Sequence, residues 1–536
     1  MTSTTTSLLN SHFGGIRRKD ACFTQDKITC SDCQNAELFY TELNSGVGVR
    51  TASGNIAVSN HTVDDELVSL FPDDEYIVGM FEAVLDGTTY FFVYTENETV
   101  GKLYTYDDIG KTLTQITTNN TLEVTSKACA TTFEQGWLDM FIFSNGRQVV
   151  YLKVDTSQPT PTLAVESSTN IHLIDSSDTQ TARDVYGLGM KVFDDRLWIF
   201  NGKVLWYSKQ LECRDFRPSG NDYITDAGFI EFVKPITAIY PYLGSLAVFH
   251  KDSSSLVQTD STTRFVVSDE SPGGCASYDS LVFHGTDLYF YDDTKKGVFS
   301  FQQVINGDKT LGDNIALDIQ RELMEIKSEN VHLIRAYSVV TYDRNEVWFL
   351  IPISDDENYS FIMIFDYLRG EWVKRKCQHI NCVTIVDSVF YSGGKDIYEE
   401  YFGYDFNGEW IESNYKCTIF NLGADNTLKI TKFPPRVTID GNSKCDFWVR
   451  YLKNYDQYKS PKLKEIKAKT YKGIITYDSG YDYDSDNIYT PTNVNAVVKL
   501  PSSTFKALEI TFFTKSVKQE FAIKAIEFSK LKVKQV

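Results

Sequence analysis

Ten cysteines, seven histidines and 72 acidic residues are the side chains of this chain suited to holding a metal, attacking a carbonyl or moving a proton. The tightest cysteine pair is Cys30-x-x-Cys33, half of a zinc knuckle in spacing. A structural zinc site takes four ligands, usually as two such pairs. The second pair on offer, Cys377 and Cys382 with His379 between them, has the wrong spacing and lies far away in sequence. Isolated reduced thiols are therefore expected, with no metal and no cofactor. Asp482, Asp484 and Asp486 alternate like the opening of a calcium loop. The glycine at its sixth position and the closing glutamate are missing, which leaves an exposed acidic loop. Neither the glycine–serine–glycine elbow of hydrolases nor a phosphate-cradling glycine loop occurs. His250 and His284 fall at strand ends or turns, where a hydrogen-bonded structural histidine is the simpler reading. Paired carboxylates for glycoside hydrolysis stay open, because sequence spacing does not report spatial spacing. No catalytic constellation emerges, and the chain is expected not to be an enzyme.

Any such residues would be positioned by a β-rich unit that recurs about seven times between roughly residues 80 and 413. Its aromatic strands are Tyr90–Tyr94, Met140–Phe143, Leu197–Phe200, Leu246–Phe249, Leu288–Tyr291, Val347–Leu350 and Val389–Tyr391. They lie roughly 40–60 residues apart, close to the length of one four-stranded propeller blade. A unit that cannot bury its own face must stack on its neighbours, and seven blades close a ring without free edges. Asn145-Gly146 and Asn201-Gly202 sit between strand pairs and suit tight hairpin turns. The segment Phe365–Trp372 resembles Tyr404–Trp410, with Tyr104–Leu113 a weaker copy. The Trp-Asp dipeptide of WD40 blades and the sialidase box are absent, and Ser392-Gly393-Gly394 echoes a kelch blade only once.

The expected fold is all-β: a β-propeller with an irregular N-terminal leader and a C-terminal β-sandwich. The leader spans 1–75, the propeller 76–413 and the sandwich 414–536. Ile315, Ile319, Leu323 and Ile326 fall at helical spacing, which predicts an amphipathic helix over 314–329, capped by Asp313 or Asn314, with Leu317 off the stripe. Beyond 414 strands lengthen and lysines accumulate. At 536 residues the chain exceeds one compact core, and 42% apolar content argues against overall disorder. A net charge of −19 argues against general nucleic-acid binding and is compatible with DNA sliding past without sticking. No basic n-region precedes an apolar run, no membrane span is expected, and the cysteines suit a cytosolic environment.

Two stretches resemble a known family. Ser45-Gly46-Val47-Gly48-Val49-Arg50-Thr51-Ala52-Ser53-Gly54 is similar to the leader of short-tailed phage tail proteins. The run Gly273-Gly274-Cys275-Ala276-Ser277-Tyr278, leading through Leu288-Tyr289-Phe290 to Gly297-Val298, resembles a blade of the same family. Ile523–Lys530 matches in style. The family is the tail nozzle proteins, also called packaged-DNA stabilisation or tail tubular B-like proteins, with the muzzle of crAss-like phages related. The resemblance implies a structural virion protein, assembled in the host cytoplasm as a homo-oligomer, a hexamer, below the portal and adaptor rings. It implies contact with other tail proteins, a lumen that retains packaged DNA and passes it at ejection without sequence-specific binding, and no catalytic residues. The alternatives are a phage receptor-binding or glycan-degrading propeller and a cellular interaction hub. Arg17, Arg18 and Lys19, basic residues of an acidic chain, are the expected assembly contacts.

Overall fold

The computed structural model describes the chain except for 1–4, 11–12, 17–27, 41–46, 64–65, 136–137, 158–161, 167–184, 219–224, 261–263, 307–311, 343, 353–358, 404, 418–427, 432–434, 441–447, 454–463, 468–492, 498–503, 506–507, 517–520 and 536. It is all-β, built from many small antiparallel sheets. Two compact units divide it: 1–56 with 362–377 and 401–536, and 57–361 with 378–400. The sequence placed boundaries at 76 and 414; the second unit instead begins about twenty residues earlier and ends near 400.

The second unit is a succession of meanders. Sheet one joins Tyr76–Leu85, Thr88–Glu96, Gly101–Asp107 and Thr112–Ile116 in sequence order. Sheet two joins Cys129–Gln135, Leu138–Ser144, Val149–Asp155 and Thr162–Val165. Sheet three joins Gly189–Phe193, Arg196–Asn201, Val204–Tyr207 and Gly228–Glu231. Sheet four joins Ala238–Tyr242, Ser245–Phe249, Ser253–Asp260 and Arg264–Val267. Sheet five has three strands, Leu281–His284, Asp287–Asp292 and Gly297–Ser300, after which the chain turns into the helix Phe301–Asn306. Sheet six contributes the hairpin Arg335–Val340 and Asn345–Ile351. The chain then passes through the first unit over 362–377 and returns as sheet seven, Ile380–Val386, Val389–Gly394 and Ile397–Glu400. Every one of the seven aromatic strands read from the sequence is the second strand of one of these sheets.

The first turn has the same form in sheets one, three, four and seven. Leu85 pairs with Thr88, so Asp86 and Gly87 form a two-residue loop with both φ positive, at 49° and 72°. Asp194-Asp195, Leu243-Gly244 and Asp387-Ser388 do the same between Phe193 and Arg196, Tyr242 and Ser245, and Val386 and Val389. Two left-handed residues twist a hairpin the way its strands twist. The Asn-Gly pairs behave differently from expectation. Asn201 pairs with Val204, so the loop is Gly202-Lys203 and only Gly202 takes a positive φ. Asn145 keeps a longer loop by accepting the Arg147 and Gln148 amides on Oδ1, at 3.0 and 2.7 Å.

Aromatic side chains join each sheet to the next. Phe92 of sheet one stacks on Phe141 of sheet two at 3.9 Å between centroids. Sheets two and three share a core containing Met140, Ile142, Leu197 and Ile199. Trp198 meets Phe265 of sheet four at 4.9 Å, and Phe249 meets Phe290 of sheet five at 5.3 Å. His284 of sheet five bonds Ser338 Oγ of sheet six at 2.9 Å. Trp348 meets Phe390 of sheet seven at 4.9 Å, and Tyr391 of sheet seven meets Phe91 of sheet one at 5.2 Å. At the entry to the unit, Val58 N–H donates to the Ile397 carbonyl at 2.9 Å, and Ser59 Oγ accepts the Ile397 amide at 2.9 Å.

The predicted helix over 314–329 is shorter than its stripe. A 3-10 turn, Leu317–Ile319, runs into one α-helical turn and a half, Gln320–Met324. The stripe itself holds, with Ile319, Leu323 and Ile326 buried and Leu317 outward. Asn314 does not cap it: its Oδ1 accepts the Val298 and Ala316 amides at 3.1 and 2.9 Å.

In the first unit the leader is not irregular. Thr5–Asn10 pairs antiparallel with the C-terminal strand Ala522–Gln535, and Val47–Thr51 joins Ala36–Tyr40 to that same strand. Phe13–Ile16 runs parallel to Ile28–Gln34, which pairs with Asn414–Cys417, and that strand with Leu508–Phe513. The leader and the region read as a C-terminal sandwich thus share two sheets. Sequence patterns within the leader are too short to reveal partners several hundred residues away.

Candidate functional site

In the second unit, one cavity of about 480 Å³ draws lining residues from the first strand of every sheet. Val78, Met80 and Glu82 come from sheet one, Cys129 and Thr131 from sheet two, Lys191 from sheet three and Tyr240 from sheet four. Leu281 comes from sheet five, Arg335 and Tyr337 from sheet six, and Cys382 and Thr384 from sheet seven. Small residues permit two of the close approaches around it. A Cβ on Gly79 would lie 2.5 Å from the Ala128 Cβ, and one on Gly189 would lie 2.3 Å from the Tyr278 ring.

Tyr278 is the hub of this arrangement. It precedes sheet five in a 3-10 turn, Tyr278–Ser280, where Ser280 Oγ accepts the Ser277 amide at 3.0 Å and the Ser280 amide donates to the Ser277 carbonyl at 3.1 Å. Its hydroxyl donates to the Met190 carbonyl at 3.0 Å, and its ring packs against the cores of sheets two to five. It belongs to the Gly273–Tyr278 run singled out in the sequence. Cys275 of that run is buried and donates to the Ser277 carbonyl at 3.0 Å.

The charges in the cavity are mostly engaged. Arg335 donates to the carbonyls of Val78 at 2.8 Å, Asn381 at 2.6 Å and Ser126 at 3.1 Å, so it ties sheets one, six and seven together. Asp279 faces Lys127 at 3.4 Å. Glu82 accepts the Asp387 amide at 3.0 Å. Lys191 is different. Its Nζ sits 4.7 Å from the Tyr240 ring centre and 5.8 Å from that of Tyr278, and burial lowers its pKa. Among the described residues its ammonium makes no hydrogen bond and no ion pair. Burial pushes the thiols of Cys129 and Cys382 up to about 12, so both are protonated and poor nucleophiles near neutral pH.

The other residues considered from sequence lie elsewhere. Cys30 and Cys33 are buried in the first unit, where Cys30 is the register partner of Cys417 and Cys33 donates to the Ala36 carbonyl at 3.6 Å. Burial raises the Cys30 thiol well above its ordinary range. Cys377 belongs to that unit and Cys382 to the second. Among the described residues no group of three or more His, Cys, Asp or Glu is placed to hold a metal ion. Buried His250 donates from Nδ1 to the Pro235 carbonyl at 3.0 Å and packs on Phe232, while burial lowers the pKa of His284. Arg17, Arg18, Lys19, Asp482, Asp484 and Asp486 lie outside the described residues. No helix of the described residues is long and apolar enough to cross a membrane. Lys191 had no motif around it to single it out. Its only sequence signal is a lysine inside an apolar strand, Gly189-Met190-Lys191-Val192-Phe193, next to a predicted hairpin.

Comparison of the chain with protein-family models and with curated proteins gives no match.

Proposed function

We propose that the second unit is a seven-bladed β-propeller and that the protein is a structural component of a short phage tail, a nozzle that holds and then passes DNA. The convergence of seven first strands on one cavity is the observation that carries the propeller. The Phe91–Tyr391 contact and the Val58–Ile397 bond support closure of the last blade onto the first. A closed ring of blades satisfies its own sheet edges, which suits a rigid scaffold that must bear load. The non-catalytic role is part of this proposal, and it is supported by the cavity carboxylates having protein partners: Asp279 faces Lys127, and Glu82 accepts the Asp387 amide. Assembly falls to the other surfaces. The basic residues Arg17, Arg18 and Lys19 are the proposed contacts to acidic neighbours, and a hexamer below the portal and adaptor rings is the proposed state.

Negative-stain imaging of the purified full chain tests the assembly, with six-fold rings expected at high concentration, and gold-labelled antibody tests its place on the tail. Monomers throughout, or label on the capsid shell alone, refute the nozzle. Charge reversal at Arg17, Arg18 and Lys19 is a cleaner probe of docking than removal of the leader, because deletion takes away the Thr5–Asn10 strand as well.

A further inference from the structure

We propose that the cavity between the seven first strands binds a small organic monoanion, a carboxylate on a ring-sized body, with the Lys191 ammonium as its counter-charge. The reasoning starts from charge. A cation taken partly out of water is costly unless an anion or several acceptors compensate it. The other charged groups lining the cavity have protein partners: Arg335 three carbonyls, Asp279 a lysine, Glu82 an amide. The Lys191 ammonium has two tyrosine faces and the protonated Cys129 thiol near it and, among the described residues, no hydrogen bond or ion pair. Cation–π contact offsets only part of the cost. An incoming carboxylate supplies the rest.

Size and lining fix the body of the ligand. Sites for small molecules occupy about 300–1,000 Å³, and this cavity lies within that range. The walls combine apolar side chains such as Met80 and Ile385 with the hydroxyls of Thr131 and Thr384. Such a mixture suits an apolar ring with one charged end. A dianion leaves one charge unmatched, because Arg335 is already committed to backbone carbonyls. Burial lowers the Lys191 pKa, and a bound anion must raise it again. Binding is therefore expected to weaken as pH rises through the lowered Lys191 value.

The test is a ¹⁹F NMR titration of the full chain with 4-fluorobenzoate, 4-fluorobenzamide and 4-fluorophenyl phosphate. Benzoate is expected to bind at least about tenfold more tightly than the isosteric amide. Lys191→Met should weaken benzoate by about tenfold or more and leave the amide unchanged, while Lys191→Arg should stay within about threefold of the natural chain. Circular dichroism checks the fold of each variant. If Lys191→Met does not fold, the pH titration of the natural chain still decides. Equal binding of benzoate and amide overturns the proposal. So do binding unchanged in Lys191→Met, affinity flat with pH up to the unfolding limit, tighter binding of the phosphate dianion, or no binding at about 10 mM.

Discussion

If sheet seven closes onto sheet one, the Phe91–Tyr391 contact must support the whole second unit as strongly as an internal one. Both rings are buried, at 5% and 4% exposure, with centroids 5.2 Å apart. Phe92 and Phe141, stacked at 3.9 Å between sheets one and two, supply the internal reference. Truncating a buried phenylalanine to alanine costs about 3–5 kcal/mol through lost transfer energy and an unfilled cavity. For a large unit about 2 °C per kcal/mol is expected, so Phe91→Ala and Phe92→Ala should each lower Tm by about 6–10 °C. Phe91 also touches Tyr106 of its own sheet at 5.5 Å, so a single substitution does not isolate the closing contact. A double-mutant cycle with Tyr391→Ala does, and should return a coupling of about 0.5–1.5 kcal/mol. Scanning calorimetry reads Tm, and amide exchange reads where protection is lost. In a closed ring both variants lose protection throughout the unit. In an open row the end contact frays locally, as in linear repeat arrays. A Phe91→Ala loss below about 1 kcal/mol, with exchange confined to sheets one and seven, would refute closure and with it the propeller.

Arg335→Met removes donors from the carbonyls of Val78, Asn381 and Ser126 and is expected to cost about 3 kcal/mol in urea unfolding, with Arg335→Lys recovering less than half because one ammonium cannot replace the planar fork. The eight described cysteines are all buried, so a thiol reagent at pH 8 should modify no more than Cys22 and Cys445 until denaturant is added, and fast modification of Cys129 or Cys382 would contradict the packing. Cys129, Cys275 and Cys382 have thiols raised from 9.0 to about 12 in the fold, so the stability they contribute is complete below pH 9 and lost as pH climbs towards 12. A Tm series from pH 8 to pH 11 should fall accordingly, and Cys382→Val should flatten it. Gly189→Ala should displace the Tyr278 ring, shift near-ultraviolet circular dichroism and weaken any cavity ligand.

The second strands of the meanders were legible because they are the most buried. Leu197–Phe200 and Leu246–Phe249 are buried at every position, so they read as unbroken apolar runs. The first strands were not legible, since they alternate between a packed face and the cavity. Gly189–Phe193 carries Lys191 among apolar neighbours, and Arg335–Val340 begins on a charge. Their best signal is the turn that follows. Asp86-Gly87, Asp194-Asp195 and Asp387-Ser388 sit two residues wide between strands, and only a search for paired left-handed residues finds them. The helix stripe was readable but its length was not, because Asn314 is spent on the edge of sheet five instead of on a helix cap. The site could not be seen from sequence for a further reason. Its residues lie on seven strands scattered from 78 to 385, and no local spacing encodes their convergence.

The route of the chain sets the order in which these pieces can be completed. Sheets one to five consist of strands adjacent in sequence, so each closes over local loops, the longest being residues 208–227 of sheet three. Closure of the last sheet onto the entry segment pairs Val58 with Ile397, and the site needs sheet seven before Cys382 and Thr384 can line it. The first unit waits longer. Thr5–Asn10 pairs with residues of the terminal strand Ala522–Gln535, and Cys30 with Cys417, so its sheets cannot form until nearly the whole chain exists. Loop-closure entropy makes such distant pairings slow, while local meanders are favoured early. The strand pairings of the leader are therefore completed only after the cavity-bearing unit has been made.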